Sequence, residues 1–75
     1  IQKMHYELQF FRKTKTSLAT MFFSDYFTDV SKALKWFSIE MQKAETDEDF
    51  YFVSELKLMR IVGYDTHAVA TWKRQ

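Results

Sequence analysis

The sequence predicts an α+β fold in which a β-hairpin, one helix and a second β-hairpin (ββαββ) form a two-layer sandwich. Three observations support this prediction: alternation of apolar and polar residues near the N-terminus, an amphipathic segment of helical period in the middle, and further β-type segments towards the C-terminus. We expect a four-stranded, mainly antiparallel sheet with the helix across one face. A chain of 75 residues holds one domain, which we assign to residues 1–75.

The first hairpin is predicted from residues 4–11 and 17–24. Residues 17–24 are rich in apolar and β-forming types on both faces, which indicates a strand. The polar stretch 12–16 between the segments lacks glycine and is short enough to close a hairpin through a type I turn, so the two strands should be antiparallel neighbours. In residues 4–11 the side chains alternate with period two, as in a half-buried strand whose apolar face holds Met4, Tyr6, Leu8 and Phe10.

The central helix is predicted to begin after an N-cap at Thr28 or Asp29, because short polar side chains accept hydrogen bonds from the free N–H groups of a first turn. At about 100° per residue, Trp36 lies on the flank of its apolar stripe and Ile39 lies nearly opposite it. Packing against the sheet explains neither position. The stripe itself consists of Val30, Ala33, Leu34, Phe37, Met41 and Ala44.

Residues 45–49 end this helix, and the segment after them has two interpretations. A second helix at about 47–62 would have a capping box at Thr46 and Asp49 and a C-terminal stop at Gly63. Its apolar residues would then point in every direction, which a domain of this size cannot enclose. We therefore favour a third strand and keep the helix as the alternative.

The third strand would carry a bulge at Leu58 and Met59 that returns Ile61 to the face of the preceding apolar residues. Residues 63–66 then form a turn, and the alternating residues 67–73 form the last strand. On this interpretation, one face of the third strand holds Phe52, Ser54, Leu56 and Leu58.

Composition limits the classes of function. The chain has no Cys, so it has no disulfide, no thiolate nucleophile and no thiolate zinc ligand, and we expect a reducing, cytoplasmic location. No apolar run approaches the ~20 residues that span a bilayer, and the N-terminus does not resemble a signal peptide, so we expect no membrane partner. The net charge is +1, with an acidic stretch at 45–55 between two mildly basic halves. With so small a net charge, binding to a polyanion would require a local cluster of basic residues.

The sequence contains no recognisable catalytic or metal-binding pattern. His5 and His67 lie on different predicted strands, without the spacing of a metal site. The acids of residues 45–49 lack the glycine and spacing of a calcium loop, and we interpret them as a solvated connection. Asp65 beside His67 resembles a base with its orienting acid, but no serine or threonine is marked as a nucleophile. We therefore expect no enzymatic activity and no cofactor.

Nucleic-acid binding is the alternative function. Basic residues stand beside aromatic ones at the first hairpin tip and at the C-terminus, and such groups contact phosphates and stack on bases. A charged hairpin loop also serves solubility alone, so this hypothesis ranks second. Its candidate residues are Arg12, Lys13 and Lys15 beside Phe10 and Phe11, with Lys73 and Arg74 beside Trp72.

The favoured function is protein binding. The chain carries eight Phe, four Tyr and two Trp, more large apolar surface than one helix on one sheet face readily hides. The surplus should form a surface that binds another protein or joins two copies through a sheet face or edge. To this surface we assign Trp36 and Ile39 of the helix, Phe11 and Phe23 on the open sheet face, and Tyr51 beside Val53 on the third strand.

In size and in its hairpin, helix and hairpin plan, the chain resembles many small regulators encoded by phages and other mobile elements, which occupy a surface on a host protein. The resemblance is one of scale and layout and carries no diagnostic motif. It implies a small inhibitor, adaptor or regulator, in agreement with the favoured function.

Overall fold

The computed structural model of the protein describes residues 3–16 and 18–75 and confirms the predicted ββαββ fold. Neighbouring strands are all antiparallel, and their order across the sheet is β2, β1, β3, β4. A single 3₁₀ turn follows the helix. The elements are β1 (Met4–Lys13), β2 (Ala19–Phe27), α1 (Val30–Thr46), the 3₁₀ turn (Glu48–Phe50), β3 (Glu55–Val62) and β4 (Asp65–Lys73).

The first hairpin forms where the sequence predicts it, with longer strands. The β2 strand starts at Ala19 and runs three residues past the predicted end, to Phe27, while the predicted first residue, Ser17, lies outside the described residues. The loop is closed by the backbone N–H of Thr14, which donates to the carbonyl of Leu18 at 3.0 Å. The hydroxyl of Thr14 also lies 2.8 Å from that of Thr16. These local contacts let a loop without glycine close the hairpin.

The core lies between α1 and the two central strands, β1 and β3. Leu8, Leu56 and Leu58 have no exposed surface, and Leu8 and Leu58 are cross-strand partners. The helix covers them with Ala33 and Phe37, at two of the positions of the predicted stripe. Asp29 is the N-cap, as predicted, and its carboxylate accepts a hydrogen bond from the N–H of Lys32 at 3.3 Å. The remaining core residues are Tyr6, Phe10, Ala44 and Val53.

The alternative helix at 47–62 is wrong. Residues 55–62 pair with β1 on one side and with β4 on the other, and Leu56 and Leu58 are completely buried in the core. The strand is shorter than predicted, because it begins at Glu55, after the 3₁₀ turn and a further turn at residues 51 and 52. Phe52 therefore does not belong to the strand face. Tyr51 lies in the turn, and Val53 is a core residue.

Two bulges interrupt the ladders. Leu58 pairs with Ala70 while Met59 pairs with Ala68, so a bulge does lie beside Leu58 and Met59, as predicted. The extra residue, however, is Val69 of β4 and not a residue of β3. The β3 strand itself alternates without interruption against β1, so Ile61 stays on the face opposite Leu58, contrary to the prediction.

The second bulge, in β2, was not predicted. Phe10 pairs with Phe23 and Phe11 pairs with Met21, which leaves Phe22 as the extra residue. The ring centroids of Phe22 and Phe23 lie 6.2 and 5.5 Å from that of the buried Phe10. Because the bulge sets two consecutive residues against one, both rings lie on the helix side of the sheet.

Arg74 joins the end of β4 to the helix and the 3₁₀ turn. Its Nη2 donates to the carbonyls of Ala44 at 2.7 Å, Val53 at 2.8 Å and Phe50 at 3.3 Å. Ala44 is in the last turn of α1, where carbonyl groups lack intrahelical partners and the helix dipole favours a positive charge. The guanidinium therefore stabilises the helix C-terminus and the segment that precedes β3.

We expect Leu8→Ala to lower the free energy of unfolding by about 3 kcal/mol, because it removes a fully buried side chain and leaves a cavity. Urea denaturation measures this change. The matched control is Leu18→Ala, at a side chain that is 69% exposed, which should change stability by less than about 0.5 kcal/mol. Equal effects at the two positions would contradict the assigned core.

Arg74→Ala should destabilise the fold by roughly 2 kcal/mol, because three carbonyl groups lose a charged donor. Arg74→Lys should not restore stability, since an ammonium lacks the planar fork that reaches several carbonyls. Urea denaturation and amide hydrogen exchange of residues 50–54 test both expectations, with the exposed neighbour Lys73→Ala as the control. An Arg74→Ala protein as stable as the control would refute the assigned role.

Candidate protein-binding surface

The β2 strand is an edge strand and is the more apolar of the two sheet edges. One side of its backbone pairs with β1, and no described strand pairs with the other. Along its length only Asp25 and Phe27 are partly buried, and Asp25 is its single charged residue. The side chains of Phe23 and Tyr26 are 52% and 65% exposed. The strand thus presents free backbone groups beside large apolar side chains.

Four phenylalanines around the bulge form what we call the aromatic cleft, with a volume of about 230 Å³. Phe22 and Phe23 come from β2, and Phe50 and Phe52 come from the 3₁₀ turn and the residues after it. The ring centroids of Phe22 and Phe52 lie 5.5 Å apart, and those of Phe50 and Phe52 lie 6.4 Å apart. Phe10, in the core, also lines the cleft.

A second hollow, of about 280 Å³, continues along the same edge between α1 and β2. Its apolar side chains come from Trp36 of the helix and Phe27 of the strand, and Tyr26, whose ring stacks on His5 at the open sheet face, borders it at the strand edge. Asp25 and Glu40 line both this hollow and the aromatic cleft, so the two are contiguous. We call the cleft and the hollow together the edge groove.

Acidic groups lie at the junction of the edge groove. The Glu40 side chain is 17% exposed, and its Oε1 lies 3.5 Å from Nζ of Lys43, whose own side chain is 46% exposed. The same Nζ lies 5.4 Å from the centre of the Phe50 ring. Asp25 is partly buried opposite Leu8. Around this junction two carboxylates therefore face one ammonium group.

The structure brings two of the five predicted protein-binding residues together, Trp36 and Phe23, in the edge groove. Phe23 is on the helix side of the sheet, contrary to the prediction, because the bulge at Phe22 changes the alternation in β2. Phe11 is on the open sheet face, as predicted, but is partly buried beneath Lys57, whose Nζ lies 5.1 Å from the ring centre.

The other two predicted residues lie elsewhere. Ile39 is on the outer part of the helix and is partly buried. Tyr51 contacts the guanidinium of Arg74, whose Cζ lies 5.1 Å from the ring centre. Sequence reasoning missed most of the groove, although the runs 21–23 and 50–52 are conspicuously apolar. The missed residues are Phe22, Tyr26, Phe27, Phe50, Phe52, Asp25 and Glu40.

The open face of the sheet is more polar than the edge groove. His5 stacks on Tyr26 with ring centroids 4.7 Å apart, and its Nε2 lies 3.1 Å from Oε2 of Glu7. Gln9 donates to the same carboxylate at 3.4 Å. His67 is on β4, with β3 between it and β1. Within residues 3–16 and 18–75, no three His, Asp or Glu side chains are grouped as a metal site would require.

The predicted nucleic-acid residues converge in part at the other end of the sheet. A cleft of about 580 Å³, which we call the basic cleft, is lined by Arg12, Lys13, Lys73 and Arg74 and also by Tyr51 and Phe52. Lys15 is not part of its lining. Arg74 is committed to the carbonyls of Ala44, Phe50 and Val53, so it is not free to bind a phosphate in the same way.

None of the described helices is sufficiently long and apolar to cross a membrane. The chain matches no protein-family model, no curated protein and no solved structure. Its function must therefore be inferred from the geometry of its surfaces.

Proposed function

We propose that the protein is a non-catalytic protein-binding module, such as a small inhibitor, adaptor or regulator, that binds its partner through the edge groove. The observation that supports this proposal is the coincidence of an unpaired strand edge with exposed aromatic rings along β2. Aromatic side chains at a partly open site supply much of the binding energy in protein interfaces. The lack of cysteine supports action in the reducing cytoplasm.

An extended segment of the partner fits this surface best. Added beside β2, such a segment would pair with the free N–H and C=O groups of the edge, and alternate side chains would enter the groove. The β2 strand is nine residues long, enough for several backbone hydrogen bonds. The aromatic cleft would accept an apolar side chain among Phe22, Phe23 and Phe52.

The opposite edge, β4, is a poorer candidate. Its exposed residues are mostly small or polar, as at Thr66, Ala68 and Thr71, and it carries charges at Asp65 and Lys73. Charged side chains on an edge discourage pairing with another strand, and small side chains offer a partner little apolar surface to cover. The two edges therefore differ in how much apolar surface a partner would cover, and β2 offers more.

Phe23→Ala and Phe52→Ala should each weaken partner binding by about tenfold to a hundredfold, because both rings are half exposed in the groove. Quantitative capture from cells that carry the gene, followed by titration of the captured partner, measures this loss. The matched control is Tyr64→Ala, at a fully exposed aromatic ring in the turn between β3 and β4.

Binding should tolerate moderate salt, since apolar contacts dominate the groove. Sedimentation of the free protein shows whether the captured partner is a second copy of the chain. If no captured protein depends on Phe23 or Phe52 more than on Tyr64, the proposed surface is wrong.

Nucleic-acid binding is a second candidate, because one observation favours it specifically. The fold places Lys13 and Lys73, which are 60 residues apart in sequence, in one cleft with Tyr51 and Phe52. Cations that follow a phosphate backbone beside rings that stack on bases are the elements of a single-strand site. Arg12 is also in this cleft, with its Cζ 5.8 Å from the centre of the Phe22 ring.

If the basic cleft binds nucleic acid, Lys13→Gln and Lys73→Gln should each lower affinity for a single-stranded oligonucleotide several-fold. Each should also reduce the slope of log affinity against log salt by about 0.7, the effect of one lost phosphate contact on a single strand. Fluorescence anisotropy between about 50 and about 200 mM salt measures both quantities. Lys35→Gln, on the exposed part of α1, is the control. If Lys13→Gln and Lys73→Gln change the affinity and the slope no more than Lys35→Gln does, the basic cleft is not the binding site.

A further inference from the structure

We infer that the partner segment in the edge groove carries a lysine or arginine two residues from a large apolar side chain. The cation would bind between Asp25 and Glu40 while the apolar side chain enters the aromatic cleft. This inference rests on the proposed function and adds the chemistry of the partner to it.

Charge at the junction is the first observation. Asp25 and Glu40 both line the aromatic cleft and the hollow beside it. Glu40 has Lys43 as a neighbour at 3.5 Å, and within the described ranges 3–16 and 18–75 no hydrogen bond or ion pair reaches the carboxylate of Asp25. A partner that seals this groove would remove two carboxylates from water, which is costly unless a cation accompanies it. An added lysine or arginine supplies that cation.

Spacing is the second observation. Phe23 and Asp25 are two residues apart in the part of β2 that pairs regularly with β1, opposite Phe10 and Leu8. Residues two apart in a strand share a face and lie about 7 Å from each other. A strand added beside β2 therefore presents one residue towards Phe23 and, two positions along, another towards Asp25. A large apolar residue matches the first position and a basic residue matches the second.

The charge of Asp25 also argues against a second copy of the chain as the occupant. The bulge at Phe22 divides β2 into two stretches that pair regularly with β1, 19–21 and 23–27, and Asp25 is at the centre of the longer one. Antiparallel pairing of this stretch with itself would set the two Asp25 side chains opposite each other, and like charges directly opposite are destabilising. A basic strand from a different protein avoids this repulsion.

The test uses the intact chain as bait for random peptides displayed on phage, each roughly twelve residues long so that it spans β2. Selected peptides should be enriched in lysine or arginine two positions from a large apolar residue. Asp25→Asn and Glu40→Gln should each lower the affinity of the synthesised peptides by about tenfold, as expected for the loss of a charged partner at an interface. Asp65→Asn, an exposed acid on β4, should have no effect.

A charge exchange gives the sharper result. A selected peptide whose basic residue is changed to glutamate should lose binding to the natural chain and regain it with Asp25→Lys. If one acid variant does not fold, as judged by circular dichroism, the other acid position still decides the question, because both carboxylates line the junction.

The outcomes separate the two proposals. Peptides that need Phe23 and Phe52 but show no basic enrichment and bind Asp25→Asn and Glu40→Gln normally would overturn this inference and leave the edge groove intact as a binding site. Peptides that bind Phe23→Ala and Phe52→Ala as well as the natural chain would contradict the groove itself. A dimer in sedimentation that Phe23→Ala dissociates would identify a second copy as the occupant and overturn the basic partner.

Discussion

The structure depends on one constraint: a single helix is narrower than the four-stranded sheet that it covers. A helix is about 10 Å across with its side chains. Four strands at their usual spacing make a sheet roughly 19 Å wide. In this protein α1 lies over the central strands, where Leu8, Leu56 and Leu58 form the core. The outer strands contribute Phe27, Ala70 and Trp72, which pack against that core but are only partly buried. The exposed aromatic surface along β2 follows from that mismatch.

The aromatic cleft is built from two segments that are distant in the chain, and a different local feature positions each of them. The bulge in β2 turns Phe22 and Phe23 towards the helix side. The guanidinium of Arg74 holds the carbonyls of Phe50 and Val53, on either side of Phe52. Each aromatic pair in the cleft stabilises the folded state by about 1 kcal/mol beyond the effect of the apolar area that it buries. Such contacts shape the cleft but leave rings half exposed, so a partner still gains free energy by covering them.

The fold separates charges that nearly cancel over the whole chain. The net charge is +1, yet acids outnumber bases in the edge groove, which holds Asp25, Glu40 and Lys43, and bases outnumber acids in the basic cleft, where Glu55 lies among Arg12, Lys13, Lys73 and Arg74. Phe52 borders both surfaces. We therefore propose different ligands for the two surfaces, an apolar strand with a basic residue for the edge groove and a phosphate chain for the basic cleft.

The sequence by itself determined the order of elements and the central core. The alternation of β1 buries Tyr6, Leu8 and Phe10, and Asp29 caps the helix, because period and capping depend on backbone geometry within a few residues. Trp36 is 40% exposed, as its place on the flank of the helix predicts, but Val30 and Leu34 of the predicted stripe are equally exposed, at 39% and 41%.

Only the tertiary structure decided that residues 55–62 form a strand, since the burial of Leu56 and Leu58 depends on pairing with β1, about 50 residues away. It likewise decided which face Phe23 takes, how the acids meet the aromatic rings, and that Arg74 binds carbonyls rather than solvent. These features depend on long-range contacts and on a bulge that resets the alternation, and neither has a local signal in the sequence.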